Sequence, residues 1–231
     1  SCDIIANVQT SSPVCSGGTI TVSCSEILGV NDYKWYFLGS TPNETIGTGM
    51  LIAEGNNVTG FQRDATMANA GWYALDISNE FDTSRFFNYV VVTESPTNLT
   101  LNSSATNLCS GQPVTLTVSA SNADTYTWNT GSHNNPLNVT PNATTTYTVT
   151  ASKTQTVYDP KLEQDVTNTC GLSASATVNV TAMPMVSISP SHVQLCESSS
   201  ATTTLTATCN NGNVTYKWGT NPMQTGNSIT V

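Results

Sequence analysis

Seven cysteines are the residues best equipped for chemistry in this chain of 231. A thiol can bind zinc, attack as a nucleophile or be oxidised to a disulfide, and spacing separates the three. No C-x-x-C pair occurs, and His133 and His192 are the two histidines available to assist, which disfavours tetrahedral zinc. A cysteine or serine nucleophile needs a convergent base and an orienting acid. The two histidines fall in different repeats, and a Ser-His-Asp set drawn from a chain this rich in serine carries no weight. What the cysteines do show is a period. "VCSGGTITVSC" at Val14–Cys24 returns as "LCSGQPVTLTVSA" from Leu108 and, more loosely, as "LCESSSATTTLTATC" from Leu195. Cys15, Cys109 and Cys196 are 94 and 87 residues apart; Trp35, Trp128 and Trp218 are 93 and 90 apart. Two independent landmarks thus give one period, the size of a β-sandwich domain. Cysteines at repeat-related positions favour disulfides and an oxidising compartment over metal binding or catalysis.

Composition removes other classes. Charged residues are 9% of the chain and the net charge is −9, with six Lys and Arg in all. That leaves no electrostatic footprint for nucleic acid, and an anionic membrane surface repels it. No apolar run approaches the ~18 residues of a membrane span. There is no D-x-D-x-D-G calcium loop and no glycine-rich phosphate cradle before a helix. No catalytic residue, metal or cofactor is expected. The chain opens on "SCDIIANVQ" without a signal peptide, and reads as a mature fragment or part of something longer.

The elements that would position the cysteines are strands. Alternation of period two recurs throughout, and helical periodicity is nearly absent. Residues 2–8 predict a first strand; Ile20, Val22 and Cys24 alternate with Thr19, Thr21 and Ser23 in the next. "YKWYFL", "GMLIAEG", "VTGFQR", "AGWYALDIS" and "RFFNYVVVT" follow. The second repeat offers "TNLTLN", "PVTLTVSA", "TYTWN", "TTTYTVTAS" and "SASATVNVT", with a long polar stretch from Lys153 to Leu172 before the last of these. That stretch predicts a protruding hairpin or a loop. The third repeat stops after "MVSIS", "TTLTATC", "TYKWG" and "NSITV". Boundaries near "ESPTN" and "AMPMV" divide the chain into 1–94, 95–182 and 183–231. A hairpin centred near Pro13 would pair Ile4 with Val22 and Ala6 with Ile20, and would place Cys2 opposite Cys24 at disulfide distance.

These residues resemble an immunoglobulin pattern, in which a strand-B cysteine precedes a strand-C tryptophan and a strand-F tyrosine lies two residues before a second cysteine. Cys24, Trp35 and Tyr73 match the first three landmarks, and Leu75 replaces the second cysteine. In repeat two Ala120, Trp128, Tyr147 and Val149 take those places; Trp218 is the tryptophan of repeat three. The phrase "CSG…VTLTVSA…YTW…TTTYTVTA…C" looks like the tandem Ig-like domains of large Bacteroidota surface proteins exported by the type IX system, adhesins and extracellular fibres among them. The resemblance implies an all-β chain of tandem immunoglobulin-like β-sandwiches, the last incomplete, with a long F–G insertion in the second. The inner face of the third, with Leu205, Ala207 and Trp218, would be completed by downstream sequence or a neighbouring chain.

The same resemblance implies two arrangements for the remaining cysteines. By Ig topology Cys15, Cys109 and Cys196 lie at the A–B end of their domains and Cys170 at the opposite, F–G end of the second. Either the insertion folds back to join Cys109 to Cys170, or Cys15 meets Cys170 across a head-to-tail junction. In the second case Cys109 would bond into repeat three, to Cys209 or to a cysteine further on. Tyr36 and Trp72 point away from buried neighbours by strand parity and form a candidate surface for a glycan or protein ligand. N-x-S/T triplets begin at Asn43, Asn57, Asn98, Asn102, Asn138, Asn142, Asn179 and Asn213. The expected function is a non-enzymatic, secreted, cell-surface structural or adhesive protein, a stalk or fibre stiffened by disulfides. Its expected partners are itself or neighbouring domains. The rival is a soluble or surface-anchored binding module.

Overall fold

The structure is a computed structural model and describes residues 4–194, 202–210 and 212–231; Cys2 and Cys196 lie outside the described residues. Among the described residues nine strands precede the first "ESP" boundary: β1 (Val8–Thr10), β2 (Val14–Cys15), β3 (Thr19–Cys24), β4 (Asp32–Gly39), β5 (Met50–Gly55), β6 (Gly60–Asp64), β7 (Gly71–Ser78), β8 (Thr83–Val90) and β9 (Val92–Thr93). They form a sheet ordered β1-β3-β6, a second ordered β5-β4-β7-β8, and a parallel pair, β2-β9. Period-two alternation turns Ile20 and Val22 of β3 inward, against Tyr33 and Trp35 of β4 and Tyr73, Leu75 and Ile77 of β7. All seven are buried. Burying each large side chain contributes about 1.5–3 kcal/mol, so this layer holds the two sheets together.

Trp35 lies opposite Leu75 in the β4–β7 register. The indole N–H donates to Val58 O at 2.7 Å, and the ring meets Phe61 edge-on. Tyr73 Oη donates to Asn69 O at 2.7 Å, tying strand β7 to the turn before it, as the tyrosine of an Ig E–F corner does. Arg63 donates to Tyr73 Oη at 3.3 Å and stacks its guanidinium 5.0 Å above the Phe37 ring. The residues from Val8 to Thr93 therefore form an immunoglobulin-like β-sandwich.

Two expectations about this region are corrected. The β1–β3 register pairs Val8 with Cys24 and Thr10 with Val22, not Ile4 with Val22. The reason is that Val14–Cys15 leaves the first sheet and runs parallel to β9, so the turn sits at Ser16–Gly18 rather than Pro13. Gly17 takes φ +86°, and the Gly18 N–H closes the turn on Cys15 O at 3.0 Å. Cys24, opposite Val8, is a free thiol, half-buried at the end of β3; fully buried Val22 takes the central place expected of it.

Tyr36 is the second correction. Parity does turn it to the outer face, but it is 7% exposed. Arg85 lies 5.3 Å above its ring and forms a buried ion pair with Asp76, Nη2 to Oδ2 at 2.8 Å. Asp76 Oδ2 accepts the Gly47 N–H at 2.7 Å, and Arg85 donates to Asn43 O and Thr48 O. The loop from Asn43 to Gly47 is thereby clamped against this face.

Seven further strands follow: β10 (Thr97–Ser103), β11 (Asn107–Cys109), β12 (Val114–Ser121), β13 (Thr125–Trp128), β14 (Leu137–Val139), β15 (Thr145–Asp159) and β16 (Gln164–Thr181). Their sheets are ordered β10-β12-β14 and β11-β16-β15-β13. Among the described residues after these come β17 (Val186–Ser189), β18 (Thr204–Cys209), β19 (Lys217–Trp218), β20 (Gln224–Thr225) and β21 (Ser228–Thr230), in sheets β17-β18-β21 and β19-β20. By contacts the chain divides into two compact units. One comprises Ser1–Asn102, Leu116–Leu137 and Tyr147–Ala176; the other comprises Ser103–Thr115, Asn138–Thr146 and Thr177–Val231.

Within the first unit, Leu116, Val118, Trp128, Tyr147, Val149 and Ala151 are buried, and Trp128 lies opposite Val149. Ala120, expected in the core, shares the inward parity of Leu116 and Val118 but lies next to the end of β12, where it is half-buried. Within the second unit, Ala207 and Ile229 are buried, while Met185, Val186 and Ile188 stay exposed. Trp218 is half-buried and donates its indole N–H to Gly226 O at 2.8 Å.

Candidate functional site: a disulfide joint

The long insertion continues the two strands beside it. β15 and β16 carry the antiparallel pairing through it as a two-stranded arm, and paired hydroxyls mark its register. Thr148 bonds Ser175, Thr150 bonds Ser173, Thr154 bonds Thr169 and Thr156 bonds Thr167, at 2.7–2.9 Å. Each pair keeps one facing register along the arm, so all these hydroxyls share one face. The other parity places Gln155, Asn168 and Cys170 on the opposite face. At the tip, Asp159 Oδ1 accepts the N–H groups of Lys161 and Leu162 at 2.8 and 3.1 Å, a side-chain turn that closes the hairpin. At the base, Lys153 pairs with Asp124 at 2.9 Å, and the Thr154 N–H donates to Asp124 Oδ2 at 3.0 Å. The Lys153 hydrogen bond, then the Thr154 N–H, hold the Asp124 carboxyl below its ordinary pKa.

The arm's second face meets the first sandwich at Cys15. Cys15 and Cys170 form a disulfide with Cα atoms 5.6 Å apart, across 155 residues of sequence. Cys15 is set by the parallel β2–β9 pair, where it lies opposite Thr93, and by the Ser16 N–H donating to Thr93 O at 2.8 Å. Thr93 is buried, and its hydroxyl donates to Cys170 Sγ at 3.1 Å, since a disulfide sulfur has no proton to give. Asn168 donates its amide to Thr93 Oγ1 at 2.8 Å. The connecting segment is held too. The Glu94 N–H donates to Gln155 Oε1 at 2.6 Å, and Glu94 Oε2 accepts from Asn122 Nδ2 at 3.0 Å. Ser95 donates twice to Ser16, N–H to Oγ at 2.9 Å and Oγ–H to O at 2.7 Å, and Pro96 is buried. Backbone, side chains and a covalent bond thus converge on one joint.

The other cysteines are not brought to it. Cys109 is an exposed free thiol at the end of β11; Cys209 is a half-buried free thiol opposite Val186. The Cys109–Cys170 and Cys109–Cys209 pairings are therefore absent. Burial pushes the Cys24 thiol above its ordinary pKa. Burial also raises Tyr73, against the opposing influence of the Arg63 charge. Trp72, placed in the candidate binding surface, is half-buried between Phe87 and Tyr89, with centroids 6.4 and 5.3 Å away. In the sequence, Thr93 and Glu94 are marked by the recurrence of T-x-x-P at Thr93–Pro96 and Thr181–Pro184, whereas Gln155 and Asn168 lie outside that motif.

Among the described residues no group of His, Cys, Asp and Glu is arranged to hold a metal ion, and no helix is long and apolar enough to cross a membrane. No family model matches the chain, and no curated protein matches it. Solved structures do. The complex of the mouse coronavirus receptor-binding domain with its murine receptor matches at 15% identity over 77% of this chain and 100% of that one, with a TM-score of 0.37. Murine CEACAM1b matches at 13% identity over 78% of this chain and 100% of its own, with a TM-score of 0.35. The ICAM-5 D1–D4 ectodomain fragment matches at 15% identity over 78% of this chain and 48% of its own, with a TM-score of 0.44.

Proposed function

We propose that this chain is a non-enzymatic extracellular structural or adhesive protein, a stretch of stalk or fibre built from Ig-like domains in a row, in which the Cys15–Cys170 joint carries load. The observation behind this reading is the disulfide that links strand β2 of the first sandwich to an arm growing out of β15 and β16. A pull applied before Cys15 and beyond Cys170 passes through the sulfur–sulfur bond. It bypasses the strands between them, which hold together by hydrogen bonds worth about 1 kcal/mol each. The sandwich cores are then shielded from tension that would otherwise peel β3 and β4 apart. The pinned Glu94–Pro96 segment and the arm resist bending at the same joint.

Low charge and dense β-patterning suit such a part, and a persistent disulfide suits an oxidising, extracellular setting. Electron microscopy of the native material tests the assignment. Filaments or long rods are the expected result; discrete globular particles would favour a binding module instead.

A further inference from the structure

The socket that receives Cys170 is written twice. In the first copy Cys15 lies opposite Thr93 in a parallel pair, the Ser16 N–H donates to Thr93 O at 2.8 Å, Gly17 has φ +86°, and the Gly18 N–H donates to Cys15 O at 3.0 Å. In the second copy Cys109 lies opposite Thr181 in a parallel pair, the Ser110 N–H donates to Thr181 O at 2.9 Å, Gly111 has φ +79°, and the Gln112 N–H donates to Cys109 O at 3.1 Å. A proline follows each threonine by three residues, Pro96 and Pro184, and each proline leads into the first strand of the next sheet, β10 and β17. The copies differ in their cover. Thr93 is buried beneath the arm, whereas Thr181 and Cys109 are exposed and the Cys109 thiol is free.

We propose that Cys109 and Thr181 form a second docking socket, for a cysteine carried on the β-arm of an Ig-like repeat that follows Pro184. The inference rests on reading the Cys15–Cys170 joint as a staple between successive repeats. Cys209 is not the partner. It closes β18 opposite Val186 as Cys24 closes β3 opposite Val8, which makes it the counterpart of Cys24. The fitting arm presents an asparagine two residues before its cysteine, so that the amide reaches the Thr181 hydroxyl as Asn168 reaches Thr93. Closure is thiol–disulfide exchange. The Cys109 thiolate attacks a disulfide oxidant and releases one thiolate, and the arm thiolate then attacks the mixed disulfide and releases the other. Two cysteine protons are lost, and the oxidant is reduced to two thiols.

Two measurements decide it. The first is an unreduced peptide map of the chain from its native source, alkylated at once. Cys109 should be at least ~ten-fold less alkylated than the half-buried thiol Cys209, despite its greater exposure. It should be recovered bonded to a cysteine in an Asn-x-Cys strand. The second uses the chain with residues 97–184 repeated after Pro184, oxidised with a glutathione couple. Cys109 should bond the repeated copy of Cys170. In either experiment, Cys109 found free beside an intact Cys15–Cys170 bond, or bonded to Cys196 or Cys209, overturns the second socket and leaves the first joint standing. Failure of Cys15 and Cys170 to bond at all overturns both.

Discussion

Asn168 gives its side-chain amide to Thr93 Oγ1 at 2.8 Å, and that hydroxyl in turn donates to Cys170 Sγ at 3.1 Å. The arm is therefore keyed to the first sandwich by a polar relay beside the disulfide. A net hydrogen bond of this kind contributes about 0.5–1.5 kcal/mol. Asn168→Ala should leave the disulfide formed and lower the urea-unfolding free energy by about 1 kcal/mol. Asn168→Asp should cost more, because it points a carboxylate at the sulfurs. Equal stability of all three proteins would show that the relay contributes nothing.

The buried Asp76–Arg85 pair clamps the Asn43–Gly47 loop. Arg85→Ala leaves a carboxylate without its cation in a buried site and should destabilise the first sandwich by about 3–5 kcal/mol. Asp76→Leu combined with Arg85→Met, two apolar side chains replacing both charges, should recover most of that loss. Chemical denaturation followed by tryptophan fluorescence reads both, since Trp35 sits in the same sandwich.

Thiol chemistry should rank the free cysteines by environment. In the 231-residue chain taken alone, where Cys109 is free, iodoacetamide at pH 8 should modify exposed Cys109 well before half-buried Cys24, whose thiol burial pushes above its ordinary value of 9.0. The sign for stability follows. The folded state prefers the neutral thiol, so the contribution of Cys24 is complete below about pH 9 and is lost as pH rises through the raised folded value. A Cys24→Ser protein should lack that part of the alkaline loss. Quantitative mass spectrometry of alkylated peptides checks the ranking, and equal rates would contradict it.

Core patterning was legible because strand alternation is a local signal: Trp35, Tyr73, Leu75, Trp128, Tyr147 and Val149 can each be read from period two and all are buried. The meeting of Cys15 with Cys170 was legible as one of two options, because a repeat period fixes which end of a sandwich a cysteine occupies. Three things were not. Pro13 carried the turn signal that belongs to Gly17, since the sequence does not show that β2 stays out of the first sheet and pairs with β9. Parity gave the face of Tyr36 but not the loop that Arg85 and Asp76 hold beside it, an interaction spanning 42 residues between Arg85 and Asn43. The alternating threonines of Lys153–Leu172 fit a polar loop as well as a hairpin. The choice between them is made by β15 and β16, which run through the stretch in the register set before it, between Thr148 and Ser175 and between Thr150 and Ser173.

Pulling single chains by handles placed before Cys15 and after Cys170 tests the load-bearing joint most directly. The disulfide locks 155 residues of separation, on the order of 500 Å of extended chain at about 3.3–3.6 Å per residue. Under oxidising conditions that length should be missing from every unfolding trace. With reductant, or in a Cys15→Ser, Cys170→Ser chain, it should appear in full, preceded by the rupture of the first sandwich. Equal contour lengths with and without reductant would contradict the account.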